Sequence, residues 1–306
     1  MRLSRLTRRS SSRPLRTPVP GAAKLHAATQ LRPFGNVARG VPRRVVLPAF
    51  TIRGGWGRLI AVAIHAGHDL RPELAAAVAV DDATRMREED PFTDSLTVAG
   101  DVAVLVHRSR FEVDLNRPRS QAVYLTPNDA WGLESWKWGL PKEVVDRSLQ
   151  IYDDFYGAMA SGMDALAGRG SFVVLDIHSY NHRRDGASRP AAPVAKNPEV
   201  NVGTGALDRR RWAHVVDRFI ADLGRQEVAG HLLDVRENVR FRGGHFSRWV
   251  SQRYPGVGCV LALEFKKVFM DEWTGVADDD HLAQLARALE ASLTGLRDAV
   301  DEDVVA

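Results

Sequence analysis

Four polar segments of this chain lie directly against apolar runs and gather side chains that can do chemistry. They are Ile64-His65-Ala66-Gly67-His68-Asp69, Val113-Asp114-Leu115-Asn116-Arg117, Leu175-Asp176-Ile177-His178-Ser179-Tyr180 and Leu261-Ala262-Leu263-Glu264. Together they supply what a zinc hydrolase requires. Histidines and a carboxylate can hold the metal, an Asn-Arg pair can take a substrate carboxylate, and a late glutamate can act as general base. His65 follows the run Leu59–Ile64 directly, and Gly67 lets the chain turn away two residues later. His178 stands at the matching end of another apolar run, and His68 is a second candidate near the first. Asp90 and Asp94 lie in the acidic stretch Arg87-Glu88-Glu89-Asp90-Pro91-Phe92-Thr93-Asp94. Most acids in such a stretch face solvent, but one can complete a His, His, carboxylate set with water in the remaining position.

Residues at these spacings need a frame that brings strand ends together. Leu59–Ile64, Val102–Val106, Phe172–Ile177 and Val257–Phe265 read as buried strands, rich in aliphatic and β-branched residues. Between them, Pro141–Leu166, Arg209–Leu223 and Asp280–Val300 carry apolar residues at three- and four-residue spacings, as amphipathic helices do. Strands separated by helices predict an α/β layered sheet, in which polar residues at the carboxyl ends of the strands collect in one cleft.

The remaining composition narrows the class. With 306 residues and 44% hydrophobic content the chain can bury a large core, and we read one α/β domain over residues 45–306. No apolar run approaches the ~20 residues that span a bilayer, which points to a cytoplasmic protein without a membrane partner. The single cysteine, Cys259, sits inside an apolar run, so any metal is held by nitrogen and oxygen. A net charge of +4 raises the question of nucleic acid. No Asp or Glu precedes Asp69, however, so the excess resides in residues 1–44, a basic arm whose composition predicts disorder. Arg8-Arg9 lacks the apolar stretch that an export signal needs, and beyond the arm the charges nearly balance. Nucleic-acid binding is therefore not expected, and the oligomeric state is not legible.

The motifs in their chain order carry a resemblance. His65-Ala66-Gly67, Asp90-Pro91-Phe92-Thr93-Asp94, Asp114-Leu115-Asn116-Arg117-Pro118, Asp176-Ile177-His178-Ser179-Tyr180, Gly243-Gly244-His245-Phe246 and Leu263-Glu264-Phe265-Lys266 resemble the N-formylglutamate amidohydrolase family. That family is related to the zinc carboxypeptidases and the succinylglutamate desuccinylases. The resemblance runs from about Ala61 to Lys267 and implies a three-layer α/β/α fold with a central mixed sheet, phosphorylase/hydrolase-like in the manner of zinc carboxypeptidases. It further implies one zinc ion per chain held by His65, His178 and a third ligand. Asp94 ranks ahead for that position, and His68 is the alternate suggested by the carboxypeptidase spacing. Glu264 is implied as the base, and Asn116 and Arg117 as the pair that binds a substrate carboxylate. From the residues themselves, Arg110 is a candidate cation for the oxyanion, and Ser179, Tyr180 and Gly244 are candidate substrate-binding residues. Asp176 would orient His178. The implied substrate is a small carboxylated amide, an N-acyl amino acid or a short peptide. The chain departs from the family pattern in His65-Ala66-Gly67-His68-Asp69, in a Trp-rich insert over residues 131–138, and in the long segment Asn181–Val200. A catalytically silent carboxylate-binding protein of the same fold is the competing expectation, and the presence of both histidines and Glu264 weighs against it.

Overall fold

The apolar runs become neighbouring strands of one sheet in the computed structural model, which describes residues 48–305. The basic arm expected over residues 1–44 lies outside the described residues. In chain order the strands are β1 (Phe50–Arg53), β2 (Leu59–Ala63), β3 (Val102–Val106), β4 (Phe172–Tyr180), β5 (Val200–Gly203), β6 (Glu227–Val228), β7 (His231–Leu232), β8 (Val235–Glu237) and β9 (Gly258–Lys266). The helices are α1 (Pro72–Ala77), α2 (Asp82–Glu88), α3 (Lys142–Ala167), α4 (Ala213–Gly224), α5 (His245–Arg253) and α6 (Asp279–Val305). Seven strands form a mixed sheet in the order β1-β3-β2-β4-β9-β5-β8, and β6 and β7 make a separate ribbon. The inner strands β3, β2, β4 and β9 run parallel, β1 and β5 join them antiparallel, and β8 runs parallel to β5. Parallel strands covered on both faces need no polar alternation, which is why the inner four read as continuous apolar runs.

Two helical layers provide that cover. Val174 and Val260 of β4 and β9 pack on one face with Phe155 and Met159 of α3 and Phe246 and Val250 of α5. Leu175, Ile177, Leu261 and Leu263 pack on the other with Phe219 of α4 and Leu289 and Leu296 of α6. Each such side chain, fully buried, contributes roughly 1.5–3 kcal/mol. The three-layer α/β/α expectation is met. Among the described residues no helix is long and apolar enough to cross a membrane.

Three features of this frame fix the site. The connection leaving β2 leads to β3 on one side of it, and the connection leaving β4 leads to β5 on the other, so a crevice opens between the carboxyl ends of β2 and β4. β4 and β9 pair in parallel over nine residues, with His178 opposite Glu264 and Asp176 opposite Ala262. The sequence reading stopped β4 at Ile177, where polar residues begin. Pairing with β9 carries it on to Tyr180, and strand alternation then puts Asp176, His178 and Tyr180 on the face that Phe172 and Val174 begin.

Candidate active site

One carboxylate oxygen joins the two histidines. His65, two residues beyond β2, and His178, within β4, are both buried, with ring centroids 5.0 Å apart. Asp90 Oδ2 lies 2.9 Å from His178 Nδ1 and 3.3 Å from His65 Nδ1. The opposite ring nitrogens face other carboxylates. His65 Nε2 is 2.8 Å from Asp114 Oδ1, and His178 Nε2 is 2.9 Å from Asp176 Oδ1. This arrangement leaves both Nδ1 atoms directed at one point beside Asp90, and the ligand atoms of the three residues lie within 4.8 Å of one another. His65 Nδ1 is buried without a hydrogen-bond partner. An orphaned imidazole nitrogen, a second one beside it and a shared carboxylate form the N/N/O donor set that a divalent cation fits, and the outer carboxylates match the usual support of metal-bound imidazoles.

Charge in this cluster is strongly biased. Burial opposes ionisation of Asp90, yet its hydrogen bond with His178 and the nearby His65 ring hold its carboxyl well below the usual carboxylate range. Asp114 behaves alike: burial is outweighed by Arg110 and His65. Burial would lower His178, but Asp176 and Asp90 hold it well above the ordinary histidine value.

The cluster forms the floor of a pocket of about 230 Å³ whose lining includes Arg110, Asn116, Trp131, Tyr180 and Glu264. Burial pushes the Glu264 carboxyl up to about 8, with Asp90 and Asp176 adding to the rise and His178 and Arg110 opposing it. Asn116 is fixed by α5: its Oδ1 accepts from Phe246 N at 3.0 Å and its backbone oxygen from His245 N at 3.3 Å. That contact sets the amide of Asn116, a residue of the pocket lining, with its Nδ2 3.5 Å from His178 Nε2. A Cβ on Gly244 would stand 2.1 Å from Asn116 Oδ1, so glycine is what lets the amide sit there. Gly67 likewise answers to close approach, since its Cβ would meet the His107 carbonyl carbon at 2.3 Å. Arg110 donates to Asp114 Oδ2 at 2.9 Å, Glu88 O at 3.2 Å and the Tyr124 hydroxyl at 3.2 Å, and its guanidinium lies 4.8 Å from the Trp131 ring centroid. Arg87, Arg184 and Lys267 add cations to the lining.

The structure redistributes several of the expected residues. Asp94 is exposed and borders a different hollow with Gly67, His68 and Asp69, so it stands away from His65 and His178, and Asp90, four residues earlier, occupies the carboxylate position. A 3₁₀ turn beginning at Thr93, entered through Phe92 at a left-handed φ of 67°, swings Asp94 outward. His68 is turned the same way and held by Glu89 at 2.5 Å and Arg85 at 2.8 Å, apart from the group formed by His65, Asp90 and His178. Arg117 pairs with Asp114 at 3.4 Å and lies over the Tyr124 ring, outside the pocket lining. Ser179 Oγ donates to Asp90 Oδ1 at 3.4 Å, and the Tyr180 hydroxyl donates to Pro198 O, so both reach the pocket as parts of its wall. The sequence reading missed Lys267, which lies one residue past the Leu263-Glu264-Phe265-Lys266 motif, and Arg87 and Arg184, which sit in charge-rich stretches with no distinguishing pattern. Asp114, named in the sequence only as part of its motif, proves to be the support of His65. A roomier cavity of about 330 Å³, lined by His182, Glu272 and Asp278, has no comparable ligand group among the described residues.

The family model described as N-formylglutamate amidohydrolase matches residues 57–270. The N-formylglutamate deformylase of Pseudomonas aeruginosa is 26% identical over 245 residues, covering 74% of this chain and 86% of that protein. Among solved structures, the N-formylglutamate amidohydrolase of Ralstonia eutropha superposes with a TM-score of 0.64 at 17% identity, covering 84% of this chain and 99% of the other. A gene product of Agrobacterium tumefaciens gives a TM-score of 0.57 at 17% identity, covering 82% and 95%. The two structures bear on the fold alone.

Proposed function

The chain belongs to the N-formylglutamate amidohydrolase family, and from that premise we propose that it hydrolyses the amide bond of an N-acyl amino acid of the N-formylglutamate type, using one zinc ion held by His65, Asp90 and His178. The observation that carries this reading is the convergence of three buried ligand atoms beside Glu264 at the floor of one pocket. Zinc bound there would polarise the acyl carbonyl and bring the pKa of a water toward neutrality.

The chain's own residues account for the remaining steps. Glu264 accepts a proton from the attacking water and returns it to the departing amine, so that the C–N bond breaks and a carboxylate and a free amine result. A carboxyl held near 8 is within reach of both tasks at neutral pH. Asn116 Nδ2, with its direction fixed by α5, and the Arg110 guanidinium supply donors to the carbonyl oxygen as negative charge builds on it. Asp114 and Asp176 hold the imidazoles in the ring orientation that presents Nδ1 to the metal. Ser179 steadies Asp90, Tyr180 and Trp131 wall the pocket, and Gly244 leaves room for Asn116. Arg87 and Arg184 at the rim favour a substrate that carries a carboxylate, and they take the part first assigned to Arg117.

The test is zinc content together with amine release from N-formyl-, N-acetyl- and N-succinyl-glutamate and from short carboxylated peptides. The reading expects about one zinc per chain, and activity that a chelator removes and zinc restores. A protein that takes up no zinc and cleaves none of these amides would overturn it in favour of a silent carboxylate-binding protein.

A further inference from the structure

Asp90 owes its place to a residue outside the ligand set. Asp90 follows α2, whose last carbonyls have no partner within the helix. Two of these oxygens, and that of Glu89 just past the helix, are taken by side chains from elsewhere in the fold. Arg87 O accepts from Lys267 Nζ at 2.7 Å and from Asn181 Nδ2 at 2.8 Å, Glu88 O from Arg110 at 3.2 Å, and Glu89 O from Lys267 Nζ at 2.6 Å. Lys267 is 1% exposed. Its backbone N–H donates to Tyr180 O at 3.0 Å, at the end of the strand that carries His178. Asp90 N–H in turn donates to His65 O at 2.9 Å.

We propose that Lys267 is a positioning residue for the metal site, locking the Asp90 turn to the end of β4 so that the carboxylate stands between the two histidines. The inference rests on the metal reading above. Lys267 connects two separately built parts of the site. Its main chain belongs to the His178 side, and its ammonium grips the carbonyls of Arg87 and Glu89, the latter adjoining Asp90. An ammonium has three donors, and two of the three are spent on these carbonyls. A cation at the carboxyl end of a helix also suits the helix dipole. Without it, the Arg87–Asp90 turn keeps its contacts to Asn181, Arg110 and His65 but loses the only side chain, among those named, that bridges it to β9.

The experiment is zinc affinity, measured by competition with a chromophoric chelator, for wild type, Lys267→Met, Lys267→Arg, Asp90→Asn and the double variant Lys267→Met/Asp90→Asn. Loss of a supporting contact of this kind predicts zinc binding weakened about 10–100-fold in Lys267→Met, with partial recovery in Lys267→Arg. The double variant should bind no more weakly than Asp90→Asn alone, because Lys267 acts through Asp90. Unfolding of the chelated proteins, run in parallel, separates this effect from general damage. If Lys267→Met does not fold, Lys267→Arg and Asn181→Ala, which removes the other donor to Arg87 O, carry the test with a smaller loss of affinity. Zinc affinity within twofold of wild type in every folded variant would overturn the proposal, as would losses that add fully in the double variant. Failure of the wild type itself to bind zinc would instead refute the metal reading on which the proposal rests.

Discussion

Replacing Glu264 by Gln should stabilise the metal-free protein while abolishing its activity. The ordinary carboxyl value of 4.5 rises to about 8 in the fold, chiefly because burial disfavours the charged form and because Asp90 and Asp176 stand near. A raised folded-state value means that the native state binds this proton more tightly than the unfolded chain does. The native state therefore loses stability as pH climbs from about 4.5, and the loss is complete above about 8. At ~1.4 kcal/mol per pH unit the cost at pH 7 is about 3 kcal/mol, reduced to about 2–3 by water at the pocket mouth. Glutamine has nearly the same shape and no charge to bury. In a chelator, Glu264→Gln should unfold about 5–10 °C above wild type at pH 7 and at the same temperature at pH 4. Residues common to both proteins cancel in the comparison, so the acid-labile Asp90 and Asp114 do not obscure it. Zinc should shrink the gap, since a dication beside Glu264 removes the cost of ionising it. Parallel unfolding curves for the two chelated proteins between pH 4 and pH 8 would refute the reasoning.

Other expectations follow from the same geometry. Calorimetry should find zinc binding abolished in His65→Ala and His178→Ala, measurably weakened in Asp90→Asn, and unchanged in Asp94→Ala and His68→Ala. Because Asp176 and Asp90 hold His178 protonated in the metal-free protein, zinc uptake must expel a proton, so affinity should rise with pH and the binding heat should vary with the buffer's ionisation enthalpy. The kcat/KM profile should climb with pH through a single ionisation below 8, since the base must be unprotonated and zinc lowers Glu264 from its metal-free value; a rate constant from pH 5 to pH 8 would contradict this. Gly244→Ala should lower kcat by at least ~100-fold with zinc still bound, because its methyl group displaces the Asn116 amide.

The parts legible in the sequence were those set by local pattern. Val102–Val106 is a strand with the same limits in both readings, and Pro141–Leu166 differs from α3 by one residue at each end. His65, His178 and Glu264 were identifiable because each ends or interrupts an apolar run, which is how strand-end chemistry looks in a chain. β5 and β8 were not visible, since strands of four and three residues carry too little periodicity to read. The choice between Asp90 and Asp94 turned on a single 3₁₀ turn and a left-handed Phe92, and sequence pattern assigns neither. Lys267 was silent for a related reason: its partners are main-chain oxygens about 180 residues away, and backbone atoms leave no trace in residue identity.

The register between β4 and β9 separates what this protein can vary from what it cannot. His178 and Glu264 are rungs of one ladder, so the backbones that carry the proposed metal ligand and the proposed proton acceptor are held at strand spacing, about 4.8 Å, by backbone hydrogen bonds under two helical layers. The wall of the pocket comes from elsewhere: Trp131 from the stretch after β3, and Asn181 and Arg184 from the long connection after β4. Insertions or substitutions in those connections can remodel which ligand the pocket admits without altering the spacing of His178 and Glu264. Selectivity for the proposed substrate is therefore free to drift across a lineage, or to be redesigned at the bench, around a pair whose backbone spacing the sheet keeps constant.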